Sequence, residues 1–144
     1  MARIEPDAPV VAITPDTRSR YAWLVLRVAL GLLIAAHGLA RWWAGGVLPF
    51  GGFLESQGFL YGLLLASAIA AFEIVGSAAL IAGRLVAPLC ACFAGIYAVG
   101  IALVHARAGW FVVDLGRNGA EYSVLLIVCL LLTGLQNVRF SGKS

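Results

Sequence analysis

The chain has 144 residues, of which 62% are hydrophobic and 12% charged, and its mean hydropathy is +0.96. Soluble domains are roughly half apolar and about a quarter charged, so a soluble chain of this length has no interior large enough for these side chains, and lipid must cover the rest. The net charge of +3 does not point to nucleic acid, because the ten basic residues are scattered beside apolar runs instead of gathered in a block.

Residues 1–20 are polar, with Pro6, Pro9 and Pro15 and charges of both signs. They lack the basic start of a signal peptide, and the apolar run that follows is too long for one. They are expected to form a loose cytoplasmic tail. Four apolar stretches follow, over residues 21–40, 59–82, 86–104 and 120–135. At 1.5 Å per residue, about 20 residues cross a hydrocarbon core about 30 Å thick; the fourth stretch is shorter and needs flanking side chains that reach out of the lipid. Pro88 lies in the first turn of the third stretch, where a missing N–H costs little. The fold class expected is all-α: an integral membrane four-helix bundle over residues 21–136, followed by a short tail over 137–144.

The connections differ. Residues 83–85 allow only a tight turn, which makes the second and third helices antiparallel neighbours. Residues 44–58 are Gly-rich with Pro49, and residues 106–119 contain Trp110, Phe111, Asp114, Arg117 and Gly119; both read as loops. Four crossings put both termini on one side. That side holds Arg3, Arg18, Arg20, Arg84, Arg139 and Lys143, and the other holds Arg41, Arg107 and Arg117. Basic residues concentrate in the cytoplasm, so both termini are expected there, with the two long loops outside. Arg41-Trp42-Trp43 suits the headgroup level. Cys90, Cys92 and Cys129 all lie in apolar runs without a C-x-x-C pair and read as packing residues.

Polar residues inside the apolar runs carry the functional information. Arg27 and Glu73 each cost about 2.5–3.5 kcal/mol if left to lipid. Arg27, Gly31, Gly38 and Arg41 share one helical face, as do Gly62, Ala66, Glu73 and Ser77, and small residues permit close helix approach. Measured from the cytoplasmic ends of their runs, Arg27 and Glu73 differ in depth by roughly 4–5 Å, which predicts an intramembrane ion pair between them. That pair either fixes helix register or takes part in proton or quinone chemistry. A second set, His37, Arg41, His105 and Glu121, falls at the opposite ends of the helices. With Trp110 and Phe111 as a cover, it is a candidate site for an anionic or quinone headgroup or for proton transfer. The competing reading is structural: helix–helix hydrogen bonds for His37 and a favourable helix dipole for Glu121. His and Glu are workable metal ligands, but their spacing here is not that of a metal motif, and no metal is expected.

The same residues carry a family resemblance. Arg27, Leu30-Gly31 and His37-Gly38 are followed by Phe72-Glu73-Ile74-Val75-Gly76, the turn Gly83-Arg84, His105, then Gly119-Ala120-Glu121-Tyr122-Ser123 and an apolar run to Gly134. In order and spacing over residues 20–136 the chain resembles the DoxX family of small four-helix bacterial membrane proteins. Arg41 stands where the family typically has Lys, and the usual Gly-x-Gly ending is Gly134-Leu135-Gln136. The resemblance implies a multi-pass protein of the bacterial inner membrane, associated with redox complexes and with quinone as the implied cofactor. The chain shows no flavin, haem or cysteine-pair motif, so electrons would pass through a quinone or a redox partner subunit. Two readings stay open: a quinone-linked redox subunit, and a non-catalytic membrane anchor, assembly factor or chaperone. A permease is disfavoured by the lack of an internal repeat.

Overall fold

The computed structural model describes residues 15–105, 108–112 and 119–138. The expected tail over residues 1–14, most of the expected C-terminal tail, and Arg3, Arg107, Asp114, Arg117, Arg139 and Lys143 lie outside the described residues. Among the described residues the fold is all-helical, with α1 (Pro15–Trp43), α2 (Val47–Ser56), α3 (Gly62–Ile81), α4 (Val86–Gly100) and α5 (Glu121–Gln136). From Ile101 to His105, α4 continues as a π-helix. Three helical spans are long and apolar enough to cross a membrane: Asp16–Trp43, Gly62–Ile81 and Val86–His105. The outward faces carry large apolar side chains, Val25, Leu32, Leu64, Val75 and Leu131 among them, as a lipid-covered surface requires.

Two sequence expectations are corrected here. Residues 15–20 are not part of a loose tail: α1 starts at Pro15 with Asp16 in its first turn, a start favoured by proline's fixed φ and by a carboxylate at the positive helix end. Residues 44–58 are not simply a loop, since Val47–Ser56 is helical. Pro49 falls in its first turn, where no N–H is needed. Gly51 is buried because α2 lies flush on α3: a Cβ at Gly51 would stand 2.8 Å from Cα of Leu63.

The bundle is two tight helix pairs. Contacts are most extensive between α1 and α3 and between α4 and α5, while α1 with α5 and α3 with α4 touch more sparsely. Gly38 sets the first pair: a Cβ there would be 2.9 Å from Cβ of Glu73 and 3.0 Å from the Ala70 carbonyl oxygen. Gly31 faces Ile81 and Ser77 in the same way. The α3–α4 turn reverses through left-handed Gly83 (φ 75°) and Leu85 (φ 50°). Beyond it the two helices are held apart by the buried ring of Phe93, which packs on Gly76 and on Phe72 with ring centroids 4.9 Å apart. Buried Leu30, Ile34, Leu80, Leu89, Cys90, Phe93 and Leu130 weld all four long helices together at the turn end. The α2 end is splayed.

Overpacking at Gly38 should be destabilising and side chains at open glycines should not. Gly38→Ala is expected to lose about 1–3 kcal/mol. Gly95→Ala, where a Cβ meets nothing within 4 Å, is expected to be neutral or to gain about 0.5–1 kcal/mol from helix propensity. Thermal melts in detergent of the two variants decide this; equal melting temperatures would remove Gly38 as the register-setting contact.

Candidate functional site

Glu73 is the most deeply buried acid among the described residues, with 1% of its surface exposed. Its partner is Arg41: Nη1 donates to Oε2 over 2.7 Å. The expected Arg27–Glu73 pair is therefore corrected. Antiparallel α1 and α3 place Gly38 level with Glu73, and Arg27 level with the turn, where its guanidinium lies against Gly83. That separates Arg27 from Glu73 by about ten residues, or ~15 Å along the axis. Helical side chains also lean toward their own N-terminus. Arg41 leans down toward the level of Gly38 and Glu73 leans up to meet it, whereas Arg27 leans the other way. The Arg41 guanidinium also stacks over the Phe50 ring, 4.6 Å from its centroid, so α2 closes over the ion pair from above.

The pair borders a half-open cavity of about 1240 Å³ between α1, α3, α4 and α5, with α2 over it. It exists because the two helix pairs diverge above the Phe93 layer. Its walls are apolar, including Leu33, Phe53, Ile69, Phe72, Ile96 and Leu126, and its polar groups are few: His37, Arg41, Glu73, Tyr97, His105, Tyr122 and Ser123. His37 sits one turn before Arg41, and its Nδ1 lies 2.9 Å from the Leu33 carbonyl oxygen. A carbonyl only accepts, so in the neutral ring Nδ1 carries the proton and Nε2 keeps its lone pair. Tyr97 lies within electrostatic range of both Glu73 and Arg41. Between Tyr97 and His105 an uninterrupted α-helix would accumulate about 80° beyond two full turns. The wider π turn after Gly100 takes back part of this rotation, and both residues line the cavity.

Of the five residues expected to form the site, His37, Arg41 and His105 line this cavity, while Trp110 and Glu121 do not. Glu121 instead fastens the loop before α5: its Oε1 accepts from the Val112 N–H over 3.1 Å, and its own N–H donates to the Trp110 carbonyl oxygen. Trp110 and Phe111 are about half exposed, and the loop reaches the cavity through Val112 and Gly119. Sequence reasoning missed Tyr97 and the α2 roof. A phenol in the middle of the run 86–104 was the available signal for the first. Among the described residues no group of three His, Cys, Asp or Glu side chains is placed to hold a metal.

The sequence model of the DoxX family matches residues 22–106, which takes in α1 from residue 22 onward, α2, α3, α4 and all cavity residues named above except Val112, Gly119, Tyr122, Ser123 and Leu126. No protein of curated function and no solved structure matches the chain.

The ion pair predicts a specific pattern of coupling. Removing one member of a buried pair costs about 3–5 kcal/mol because the other charge is stranded. Arg41→Leu and Glu73→Leu should each lower the melting temperature strongly, and the double variant should recover much of the loss. Arg27→Leu combined with Glu73→Leu should show simple additivity. Melts of the full set in detergent would reject the Arg41 assignment if the coupling appeared with Arg27 instead.

Proposed function

The chain belongs to the DoxX family, and from that premise we propose that this membrane protein is a multi-pass subunit of the bacterial inner membrane that holds a quinone in the cavity beside Arg41 and Glu73. The single observation that carries this reading is the cavity itself, apolar along its walls and polar at one corner. Ligand pockets commonly measure about 300–1,000 Å³, so this space takes a ring together with part of an apolar tail. Leu33, Val99 and Leu125 border it and also face outward, which gives a lipid-dissolved molecule access from the side. When bound, a quinone supplies reversible two-electron, two-proton chemistry. The chain's part is to place and protonate: Arg41 retains N–H donors beyond the one given to Glu73, and His37 Nε2 is a proton acceptor in reach of the same corner. Electrons would come from a redox partner subunit.

In this reading α5 (Glu121–Gln136) is the fourth crossing, although at about 24 Å it is shorter than the lipid core. Both termini face the cytoplasm, following the basic residues on that side. The alternative role as an anchor or assembly factor draws on the exposed aromatic rim around α2, where Trp43 is 94% and Tyr61 77% exposed. The same rim suits the headgroup layer.

Titrating the purified protein in lipid nanodiscs with a benzoquinone carrying a ten-carbon tail should give saturable binding. His37→Ala should weaken binding of the matching hydroquinone, whose hydroxyl can donate to Nε2, about tenfold, with little change in melting temperature. No saturable binding by the unaltered protein would return the weight to the anchor role. Orientation is checked separately: a reporter active only in the periplasm, fused after Ser144, should stay silent, and a strong signal would invert the topology.

A further inference from the structure

The turn end of the bundle carries an arginine with no counter-charge. Arg27 makes no ion pair or hydrogen bond among the described residues, and its Nε is buried without a partner. Acids are distant: Asp16 lies eleven residues earlier on α1, roughly 16 Å along the axis, and Glu73 is about 15 Å away in the other direction. The charges that share this end are of like sign, with Arg18, Arg20 and Arg84 all exposed. The negative end of α3 attracts a cation, but the turn already uses its carbonyls: those of Ala78, Ala79 and Leu80 accept from Ala82, Arg84 and Gly83. A guanidinium at the edge of the hydrocarbon layer with its donors unmet is costly. Its position is nonetheless well defined. Both terminal nitrogens lie across the bare face of Gly83, each 3.2 Å from where a Cβ would stand. Nη1 and Nη2, unlike Nε, keep accessible surface, and Arg27 as a whole is partly exposed.

We propose that the Arg27 guanidinium, laid over Gly83 at the turn between α3 and α4, binds the phosphate of an anionic phospholipid, with Nη1 and Nη2 donating to phosphate oxygens. The planar fork of arginine matches two oxygens of a phosphate, and such charge-assisted pairs are the strong ones. The level is right for a headgroup: the apolar spans of α3 and α4 end at this turn, and Tyr21 and Trp23 lie about one turn further out on α1, as interfacial aromatics do. Exposed Leu32, deeper on α1, begins the apolar surface against which acyl chains lie. Arg18, Arg20 and Arg84 favour a lipid of net negative charge over a neutral one. The proposal does not depend on what the cavity at the other end holds.

The test uses the full chain in lipid-free dodecyl maltoside, with lipid added back and bound lipid counted by native mass spectrometry. Dioleoylphosphatidylglycerol should be retained in preference to dioleoylglycerol, which has the same tails and no phosphate, and to dioleoylphosphatidylcholine, whose headgroup is neutral. Arg27→Leu should weaken retention of the phosphatidylglycerol about tenfold, as loss of a charge-assisted hydrogen bond does. It should leave the lipid-free melting temperature unchanged or raised, because the charge it removes has no partner to strand. Arg27→Lys keeps the charge and loses the fork, so its affinity should fall between the two. Arg18→Ala, which removes an exposed charge from the same helix, should cost about twofold or less. Equal losses from Arg18→Ala and Arg27→Leu would reduce the effect to general surface charge and overturn the assignment. So would equal retention of the three lipids. A lower lipid-free melting temperature for Arg27→Leu would mean that the chain itself supplies the partner, and the site would fall. If inorganic phosphate displaced the lipid, the ligand would be a free anion and the lipid assignment would be wrong.

Discussion

A carboxylate in the hydrocarbon layer needs a counter-charge, and the position of Glu73 governs much of what surrounds it. It is buried between α1 and α3, so Arg41 must be within reach, and that requires α1 to come close. Gly38 permits the approach by leaving room for the Cβ of Glu73. Arg41 then lies at the level of α2, where Phe50 takes the face of its guanidinium. One charge pair thus fixes the α1–α3 register, the seat of the α2 roof, and the placement of a polar corner inside an apolar space. The pair is a costly way to obtain stability, because apolar residues of similar volume often do as well. Its retention is more readily understood as a means of holding charge next to the cavity.

The cavity follows from how the helices are paired. Small residues bring α1 onto α3, and Gly134 brings α5 within 3.2 Å of Cys90 on α4 as measured from a notional Cβ. Between the pairs stand larger groups, Phe72 and Phe93, which act as a spacer. Below this layer the leucines close the gap; above it none of the described residues fills the space. The interior is therefore close-packed at one end and open at the other, and the ionisable residues inside the bundle gather at the open end, apart from Arg27.

The apolar runs made the long helices legible in sequence, with boundaries displaced by a few residues, because a lipid-facing helix must be apolar over its whole length. The α2 helix was not legible, because Pro49 and paired glycines are turn signals that only tertiary context reinterprets: Pro49 sits in a first turn and Gly51 in a contact. The acid of the ion pair was identified and its base was not. Depth counted from the ends of the apolar runs assumes that α1 starts level with the turn, whereas α1 begins at Pro15 and it is Arg27 that lies level with the turn at Gly83. The direction in which helical side chains lean would have favoured Arg41 even without coordinates. His37, Arg41 and His105, placed by the sequence at one end of the helices, all line the cavity. Trp110 and Glu121 share that end but serve the loop, a distinction that requires knowing which backbone groups need partners.

Gly95 and Gly100 bear on whether the open end is a functional space or loose packing. Both lie on the cavity side of α4, and a Cβ at either would touch nothing within 4 Å. Glycine inside a helix costs about 0.5–1 kcal/mol relative to alanine, and neither position needs glycine for close helix contact, unlike Gly38 or Gly76. Alanine or leucine there would strengthen α4 and fill space. What each glycine provides is a patch of uncovered backbone where α4 borders the cavity. A helix that gives up propensity without gaining a contact of its own is shaped for something that is not part of the chain.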